Sequence, residues 1–425
     1  MRRIVTLCII CIFALSLLTG CGNSVDNNVI NISILNSKPE IADALETALN
    51  EFEKENEDIR IKTVKYSQSS SYKDKLEAMA SADNAPTLTI VDAAHISAFS
   101  DICLNLSTEK WVNDISEGLY NIVKNDKGEI IAFPFSTEGA GFIYNKKVID
   151  EAGIDVSTLN TISALEEAFQ KINSIGKGSL IITNEEWSLG DHFLATFYAS
   201  DVKKSGTDNK TYFENIKRNA ENIGDNETLN GLLDTFDIMK KYNIYADSPL
   251  APSYDKCAEI LGEGEVGFWY MGNWASQNIL AASKGNNEFG FIPVPISNNS
   301  SDVGNNEIAV GVTKYVIINK NSSEKQIEAA KRFLDYIVYD ERGNKFIAED
   351  AGIIPAFDNI SVPEEDPLVK EIINYRDAGN TVELMNTYLP SNNSKILGNA
   401  LRKYLNNEIS REQLIDQIKD FWRNS

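Results

Sequence analysis

The residues that could do catalytic chemistry do not form a known catalytic pattern in this sequence. Its two histidines, His95 and His192, are not spaced like the paired ligands of a metalloprotease. The sequence also has no Gly-x-Ser-x-Gly elbow, no phosphate-binding loop and no Cys/His metal spacing. Gly176-Lys177-Gly178-Ser179 lacks the upstream glycine of a phosphate loop and precedes a predicted strand. We therefore expect no enzymatic activity, no cofactor and no metal, although no spacing argument excludes the paired carboxylates of a glycosidase.

Polar residues at the ends of predicted strands are better candidates for a binding site. Ser37, Lys38 and Glu40 follow the first predicted strand, and Asp92 ends a later one. Ligands of open α/β sheets bind beyond the carboxyl ends of the strands, so these residues are predicted to face a ligand. The alternative is that Ser37, Glu40 and Asp92 only cap the helices that follow them.

Strands and helices alternate along the chain. Ile30, Ile32 and Ile34 recur at period two, which indicates a strand from Val29 to Leu35. The next apolar residues recur at helical spacing: Ile41, Ala44, Leu45, Ala48, Leu49 and Phe52. Further strands are predicted at Ile59 to Val64, Thr87 to Val91, Ser179 to Thr183 and Lys314 to Ile318. This alternation predicts an α/β fold with mainly parallel strands and helices on both faces of the sheet.

Local signals add helix starts and one loop. Ser163-x-x-Glu166 and Ser410-x-x-Gln413 have the pattern of capping boxes that open helices. Apolar spacing predicts further helices at Tyr72 to Ser81 and at Glu324 to Val338. The Asn/Ser-rich stretch from Ser297 to Asn306 is predicted to be a mobile loop.

The N-terminus is predicted to be an export signal. Arg2 and Arg3 precede an apolar run, Ile4 to Leu18, that covers about 23 Å as a helix and is shorter than the roughly 30 Å bilayer core. Leu17-Leu18-Thr19-Gly20-Cys21 resembles the lipobox of bacterial lipoproteins, which implies cleavage before Cys21 and lipidation of its thiol. We therefore expect residues 1–20 to be a signal peptide and residues 21–28 to be a tether outside the cell membrane. The alternative is an ordinary signal peptide cut elsewhere.

Composition limits the class of protein and its partners. The mature chain of roughly 400 residues exceeds the size at which one hydrophobic core stops growing, so two lobes are expected. A net charge of −22 argues against nucleic acid and anionic lipid as partners, because both are polyanions. Beyond the signal and Cys21, the remaining cysteines are Cys103 and Cys257, which leaves one disulfide formally possible.

Five segments in order resemble the family 1 extracellular solute-binding proteins of ABC importers, which include maltose-type and multiple-sugar-binding proteins. These segments are Leu35 to Glu40, Leu76 to Asp92, Ile131 to Lys146, Gly264 to Trp274, and Tyr315 to Pro355. The third, with its Phe-Pro-Phe-Ser-Thr-Glu-Gly core, is the most specific of them. Trp187-x-x-Gly-x-His192-Phe193 is similar to a segment common in sugar-binding members from Gram-positive bacteria.

The resemblance implies two α/β lobes with a ligand cleft between them. Crossing strands would fall near Ser136 to Phe142, Ala309 to Thr313 and Ala356 to Val362. Lobe 1 would contain residues 29–138 and 312–358, and lobe 2 residues 139–311 and 359–425. The implied function is capture of a sugar, by hinged closure of a monomer, for an ABC permease and its ATPase. The implied location is the outer face of the cell membrane, with a Gram-positive surface preferred to a periplasm.

A sugar cleft needs two kinds of side chain. Carboxylates and amides bind neighbouring hydroxyls, and flat rings cover the apolar C–H faces of the sugar. In the segments that the resemblance places at the cleft, such residues join Ser37, Lys38, Glu40 and Asp92 as candidate ligand-binding residues: Glu138, Trp187, His192, Trp269, Asn273 and Trp274. Gly272 is a further candidate through its backbone N–H group, and Pro355 through the turn Gly352 to Pro355, which would form the last wall of the cleft. His192 could instead be a core histidine and Trp269 a core tryptophan. Trp274 is the preferred stacking residue.

Three other functions stay open at this point. A secreted carbohydrate-active enzyme would need two cleft carboxylates placed across a scissile bond. A solute-binding protein for a polyamine or peptide would use the acidic residues as counter-charges, and its cationic ligand could also lie on aromatic rings. The same binding event could also serve a sensor kinase or chemoreceptor.

Overall fold

The computed structural model describes residues 29–65, 72–116, 124–362 and 366–425. The predicted signal peptide, Cys21 and the tether lie outside these residues, so the predictions about them are not tested by the structure. Within the described ranges, no helix has both the length and the apolar character needed to cross a membrane.

The described residues contain nine strands that form one mixed sheet. Their bounds are β1 Ile30–Leu35, β2 Ile59–Val64, β3 Leu88–Asp92, β4 Phe133–Asn145, β5 Gly178–Ile181, β6 Val266–Gly272, β7 Phe289–Ile292, β8 Ile308–Ile318 and β9 Thr381–Glu383. The sheet order is β2-β1-β3-β8-β4-β6-β5, with β7 beside β4 and β9 beside β8.

Fourteen α-helices of the described ranges pack around this sheet. Their bounds are α1 Ala42–Glu55, α2 Tyr72–Ser81, α3 Lys146–Glu151, α4 Ile162–Ser174, α5 Ala195–Ser205, α6 Asn209–Arg218, α7 Glu227–Tyr242, α8 Tyr254–Gly262, α9 Ser276–Ala282, α10 Glu324–Tyr339, α11 Glu341–Lys345, α12 Pro367–Asp377, α13 Asn399–Leu405 and α14 Arg411–Arg423. Helix α1 buries Leu45, Ala48, Leu49 and Phe52, which confirms the helical spacing read from the sequence.

The expectation of mainly parallel pairing is wrong. Strand β1 is parallel to β2 and β3, but β8 is antiparallel to both β3 and β4. Strand β4 is also antiparallel to β6 and β7. The prediction failed because local apolar patterns report which residues form strands but not which distant strand each one pairs with.

The buried apolar residues form three clusters, here called the first, second and third cores. The first core uses residues 32–135 and 312–360, and the second uses residues 140–309 and 382–422. The third core lies between residues 143 and 372 and uses the other face of β4 and β6. Strands β4 and β8, which pair with each other, contribute side chains to the first core at one end and to the other cores at the other end. The two longest strands therefore connect the cores.

One of the two predicted capping boxes is present in the structure. Ser410 and Gln413 form the predicted capping box at α14, and Ser323 with Gln326 forms another at α10. The box predicted at Ser163 is wrong, because Thr161 caps α4 by accepting from the Ala164 amide. The Ser163 hydroxyl instead bonds to Asn298, so a tertiary contact replaces the local cap.

The structure also bears on the predicted mobile loop and on the formally possible disulfide. The stretch from Ser297 to Asn306 is a loop, but buried Asn305 accepts from the Ile296 amide and donates to the Ser297 carbonyl, so the loop is held by its own hydrogen bonds. Cys103 lies in the first core and Cys257 in the third, and both are free thiols. The formally possible disulfide is therefore absent.

Candidate functional site

A cleft of about 920 Å³ opens beyond the carboxyl ends of β1 and β3. This main cleft lies between segments that belong to different cores. Eight of the candidate residues line it: Ser37, Lys38, Glu40, Asp92, Glu138, Trp187, His192 and Trp274. A side chamber of about 280 Å³ shares Lys38, Glu138 and Trp274 with the main cleft and is also lined by Asn273.

One side of the main cleft, the charged wall, is built around a buried lysine. The chain leaves β1 at Asn36, whose side chain accepts from the Lys38 amide at 2.8 Å and donates to the Lys38 carbonyl at 2.8 Å. This Asx turn fixes Lys38, whose Nζ lies 2.7 Å from Glu138 Oε1 and 2.7 Å from Glu40 Oε1. Lys38 therefore bridges the turn after β1 to the long strand β4.

Two hydroxyl groups bind Glu138 in addition to Lys38. The Ser136 hydroxyl donates to its Oε1 at 3.0 Å, and the Thr313 hydroxyl of β8 donates to its Oε2 at 2.5 Å. Burial disfavours both charges of the pair, but the Lys38 charge and the hydrogen bonds from Lys38 and Thr313 together outweigh burial and lower the pKa of Glu138. In the same way, Glu138 and Glu40 outweigh burial and raise the pKa of Lys38. The pair is therefore ionised at neutral pH.

Asp92 completes the charged wall at the end of β3. Its carboxylate pairs with Lys314 of β8, and His95 Nδ1 lies 3.7 Å from it. The Asp92 amide donates to the Tyr72 hydroxyl at 2.9 Å, and this hydroxyl lies 2.5 Å from His95 Nδ1. Although burial alone would raise the pKa of Asp92, the charge and hydrogen bond of Lys314, with smaller contributions from Tyr72 and His95, together lower it. Asp92 is thus fixed as an anion by its own neighbours.

The capping alternatives fail for these residues. The side chain of Asp92 makes no capping hydrogen bond to the turn that follows, and the turn Pro39–Ile41 has no side-chain cap either. Ser37 Oγ is buried without a hydrogen-bond partner in the described part of the chain, and the Glu40 carboxylate bonds to Lys38. These side chains face the main cleft instead of closing helix ends.

The opposite side, the aromatic wall, consists of Trp187, His192, Tyr254 and Trp274. The ring of Trp187 lies 5.9 Å from that of Trp274, and the ring of His192 lies 5.1 Å from that of Trp274. Tyr254 extends the group, with its ring 6.4 Å from Trp187. All four side chains are half-buried, so their free faces can contact a ligand.

A π-helical turn, Ser188–Phe193, places His192 and Asp191 at the cleft. The turn packs so closely on the turn Ser394–Gly398 that a Cβ at Gly190 would lie 2.7 Å from the Gly398 amide nitrogen. Burial lowers the pKa of His192 to about 4, and its Nδ1 has no hydrogen-bond partner in the described residues. His192 is therefore neutral at physiological pH and can donate or accept a hydrogen bond toward a ligand.

Asp191 is a cleft residue that the sequence reasoning missed. Its Oδ1 accepts from Asn393 Nδ2 at 2.7 Å, and it lines the main cleft together with Trp187 and Ser394. Burial raises the pKa of Asp191 from its ordinary value of 3.8 to about 7. The hydrogen bond from Asn393 opposes this shift, and the charge of Asp92 adds to it. Its position inside the quoted Trp187 to Phe193 segment is the signal that could have identified it.

Asp191 makes a testable contribution to the pH dependence of stability. The folded state keeps this carboxyl protonated up to about pH 7, whereas the unfolded chain loses the proton near pH 4, so the contribution to stability falls between these values as pH rises. Asp191→Asn keeps the oxygen that accepts from Asn393 but cannot ionise. This variant should therefore lack the pH-dependent decrease in the free energy of unfolding, which amounts to at most about 4 kcal/mol in the native protein. Denaturant unfolding of both proteins across this pH range measures it, and parallel pH curves would contradict it.

Three candidate residues do not reach the cleft, and these placements were wrong. Trp269 is 0% exposed and packs in the third core, because β6 turns its side chain away from the main cleft. Pro355 is buried behind Gly352 and Ile353, which line the side chamber. Gly272 does not line the cleft but leaves room for the Trp274 ring, because a Cβ at this position would lie 2.0 Å from Trp274 Cζ3.

Asn273 lines the side chamber, but its side-chain oxygen is already hydrogen-bonded to the protein backbone. It is 2% exposed, and its Oδ1 accepts from the Gly139 amide of β4 at 2.9 Å. This bond holds the turn Asn273–Ala275 against β4 and so positions Trp274. Tyr254 and Lys314 also line the cleft and were not predicted, because nothing local to helix α8 or strand β8 marks them.

Comparison with known proteins agrees with this architecture. The melibiose/raffinose/stachyose-binding protein MelE of Bacillus subtilis is 21% identical over 288 residues, which span 67% of this chain but only 64% of that protein. The arabinooligosaccharide-binding protein of Halalkalibacterium halodurans is 23% identical over 362 residues, or 80% of this chain and 75% of that protein. A sugar transporter from Bacillus licheniformis in complex with stachyose aligns with a TM-score of 0.72 at 20% identity, covering 93% of this chain and 100% of that chain.

The structural match confirms the predicted two-lobed α/β fold. A model of the bacterial extracellular solute-binding protein family matches residues 47–371, which is more than half of the chain. That match confirms the resemblance carried by the five sequence segments and makes the protein a binding protein rather than an enzyme. The chain belongs to the family of bacterial extracellular solute-binding proteins.

Proposed function

We propose that the protein captures a sugar, an oligosaccharide rather than a monosaccharide, and delivers it to the permease of an ABC importer. It acts as a monomer on the outer face of the cell membrane, most simply of a Gram-positive cell, and is held there by lipid on Cys21. The permease and its ATPase are its protein partners, and it binds no nucleic acid.

The contrast between the two walls of the main cleft carries this proposal. The charged wall offers carboxylate oxygens of Glu40 and Asp92, which accept from neighbouring hydroxyls. The aromatic wall offers the rings of Trp187 and Trp274, which cover apolar C–H faces. A saccharide is the class of solute that presents both kinds of surface at once.

The size of the cleft supports an oligosaccharide. A volume of about 920 Å³ lies near the top of the ~300–1,000 Å³ range of small-molecule sites. The side chamber extends the space past Trp274. Two similar proteins are named as binders of raffinose-type and arabinose oligosaccharides, which fits a ligand of several units.

We infer hinged closure because the charged wall and the aromatic wall belong to different proposed lobes. The lobe boundaries proposed from the sequence, near residues 138 and 312, put Glu138 and Lys314 close to the crossing strands and Trp274 in the other lobe. A ligand that contacts both walls stabilises the closed arrangement more than the open one. The closed form is then what the permease recognises.

Thermal unfolding with a ligand panel tests the proposal. The chain without its predicted signal segment is screened against mono- and oligosaccharides, polyamines and short peptides. A ligand at a hundredfold excess over its Kd stabilises the folded state by about 2.7 kcal/mol, which is a shift of several degrees. A shift with one saccharide series, increasing with chain length, is the expected result. Stabilisation by peptides or polyamines alone would contradict sugar binding.

A further inference from the structure

The cations that line the main cleft are already neutralised by the protein. Lys38 is paired with both Glu40 and Glu138, and Lys314 is paired with Asp92. Since each lysine contacts at least one carboxylate, neither is available to an anionic group of a solute. The cleft is therefore not built to recognise an acidic sugar.

The carboxyl groups on the aromatic side of the cleft lack the cationic partners that the carboxylates of the charged wall have. Glu185, Asp191 and Asp255 line the main cleft, and no Lys or Arg of the described residues forms an ion pair with them. Asp191 is the most constrained of the three. Asn393 donates one amide group both to Asp191 at 2.7 Å and to the Gly190 carbonyl at 3.1 Å, which fixes the carboxylate.

Independent of these charges, buried polar atoms at the cleft lack partners. Ser37 is 6% exposed and lines the main cleft, and its Oγ makes no hydrogen bond to any residue that the structure describes. Asn386 also lines the main cleft, and its buried Oδ1 likewise has no partner among those residues. Buried polar groups are normally hydrogen-bonded, so these atoms indicate a ligand that supplies the missing bonds.

The environment of Asp191 requires a positive group or a proton. Burial and the charge of Asp92 across the cleft both favour its neutral form and raise its pKa to about 7. An ammonium group would reverse this effect, because an opposite charge within about 4–6 Å favours the ionised carboxylate. The rings of Trp187 and Trp274 can add a cation–π contribution to the same group.

We propose that the solute is an amino sugar, a saccharide with a free primary amine whose ammonium group binds Asp191 beside the aromatic wall. This inference rests on the proposed sugar-binding function and narrows its substrate class. An ammonium group has three donors and no acceptor, which matches a carboxylate without a cationic partner and an unpaired amide oxygen better than a hydroxyl does. The N-acetylated form of the same sugar has no charge and would lose this recognition.

Matched trisaccharides test the proposal. Isothermal titration measures the affinity of the protein for the β-1,4-linked trimers of glucosamine, glucose and N-acetylglucosamine at mildly acidic pH, where the free amine is charged. We expect the glucosamine trimer to bind at least tenfold more tightly than the other two. Asp191→Asn should reduce its affinity to that of the glucose trimer, whereas Asp247→Asn, which removes the same charge from an exposed site outside the cleft, should leave the preference intact.

Each other outcome overturns the amino-sugar assignment. Equal or tighter binding of the glucose or N-acetylglucosamine trimer would show that the cleft does not select the amine, and so would a preference that survives in Asp191→Asn. Failure of all three trimers to bind also overturns it. In every such case, stabilisation of the protein by any neutral saccharide in the thermal panel would leave the proposed sugar-binding function standing.

Discussion

Replacing Lys38 by methionine is expected to lower the free energy of unfolding by about 3–5 kcal/mol. The substitution leaves Glu138, which is 6% exposed, without its cation, and the hydroxyls of Ser136 and Thr313 alone would have to stabilise the buried charge. Removing one partner of a buried pair is costly because the remaining charge is desolvated and uncompensated. Denaturant unfolding of the two proteins at neutral pH measures the loss.

The second half of this test is a rescue. In Lys38→Met/Glu138→Gln no charge stays buried. The Gln carbonyl can accept from one of the two hydroxyls and its NH2 group can donate to the other, so most of the lost stability should return. Lys146→Met, which breaks the exposed pair with Asp150, is the matched control and should change stability little. A double variant as unstable as Lys38→Met would show that Lys38 acts through packing and not through its charge.

The pH dependence of the same variants distinguishes charge from packing again. In the native protein Glu138 has a lowered pKa, so its contribution is present at neutral pH and is lost as pH falls through that lowered value. Without Lys38, burial should raise the pKa of Glu138 above that of the unfolded chain, and Lys38→Met should then gain stability as pH falls. The stability difference between the two proteins should therefore shrink in acid.

Local patterns predicted the elements of this fold well. The alternation at Ile30, Ile32 and Ile34 and the helical spacing of α1 depend only on neighbours in sequence, and the structure has both elements where they were expected. Pairing of β8 with β3 and β4 joins residues far apart in sequence, and no single segment encodes it. The mixed sheet was accordingly missed.

The cleft was partly predictable for a related reason. Ser37, Lys38, Glu40 and Asp92 follow the rule that sites lie beyond the carboxyl ends of strands, and all four line the main cleft. The sequence could not show which face of β6 points inward, so Trp269 was placed in the cleft although it lies in the third core. The structure shows that Ser37, Lys38, Glu40 and Asp92 line the cleft, and their contact with a ligand stays a prediction.

Replacing Trp274 is expected to weaken sugar binding at least tenfold. Its ring lies where the main cleft and the side chamber meet, and it contacts both Trp187 and His192 on the aromatic wall. A ring that covers one sugar face contributes on the order of 1–3 kcal/mol, through burial of apolar area and favourable geometry. Trp274→Leu keeps apolar bulk but removes the flat ring, so titration calorimetry should show the loss in Kd while the unfolding midpoint changes little.

Trp274→Phe is the control that separates ring stacking from simple filling of space. Phenylalanine keeps a flat face and should retain most of the affinity that leucine loses, because stacking depends on the ring rather than on apolar volume. The position also depends on Gly272, whose missing Cβ leaves room for the indole. Gly272→Ala should therefore push the ring aside and weaken binding to a similar degree with Trp274 intact. An unchanged Kd in both Trp274→Leu and Gly272→Ala would remove this ring from the ligand-binding surface.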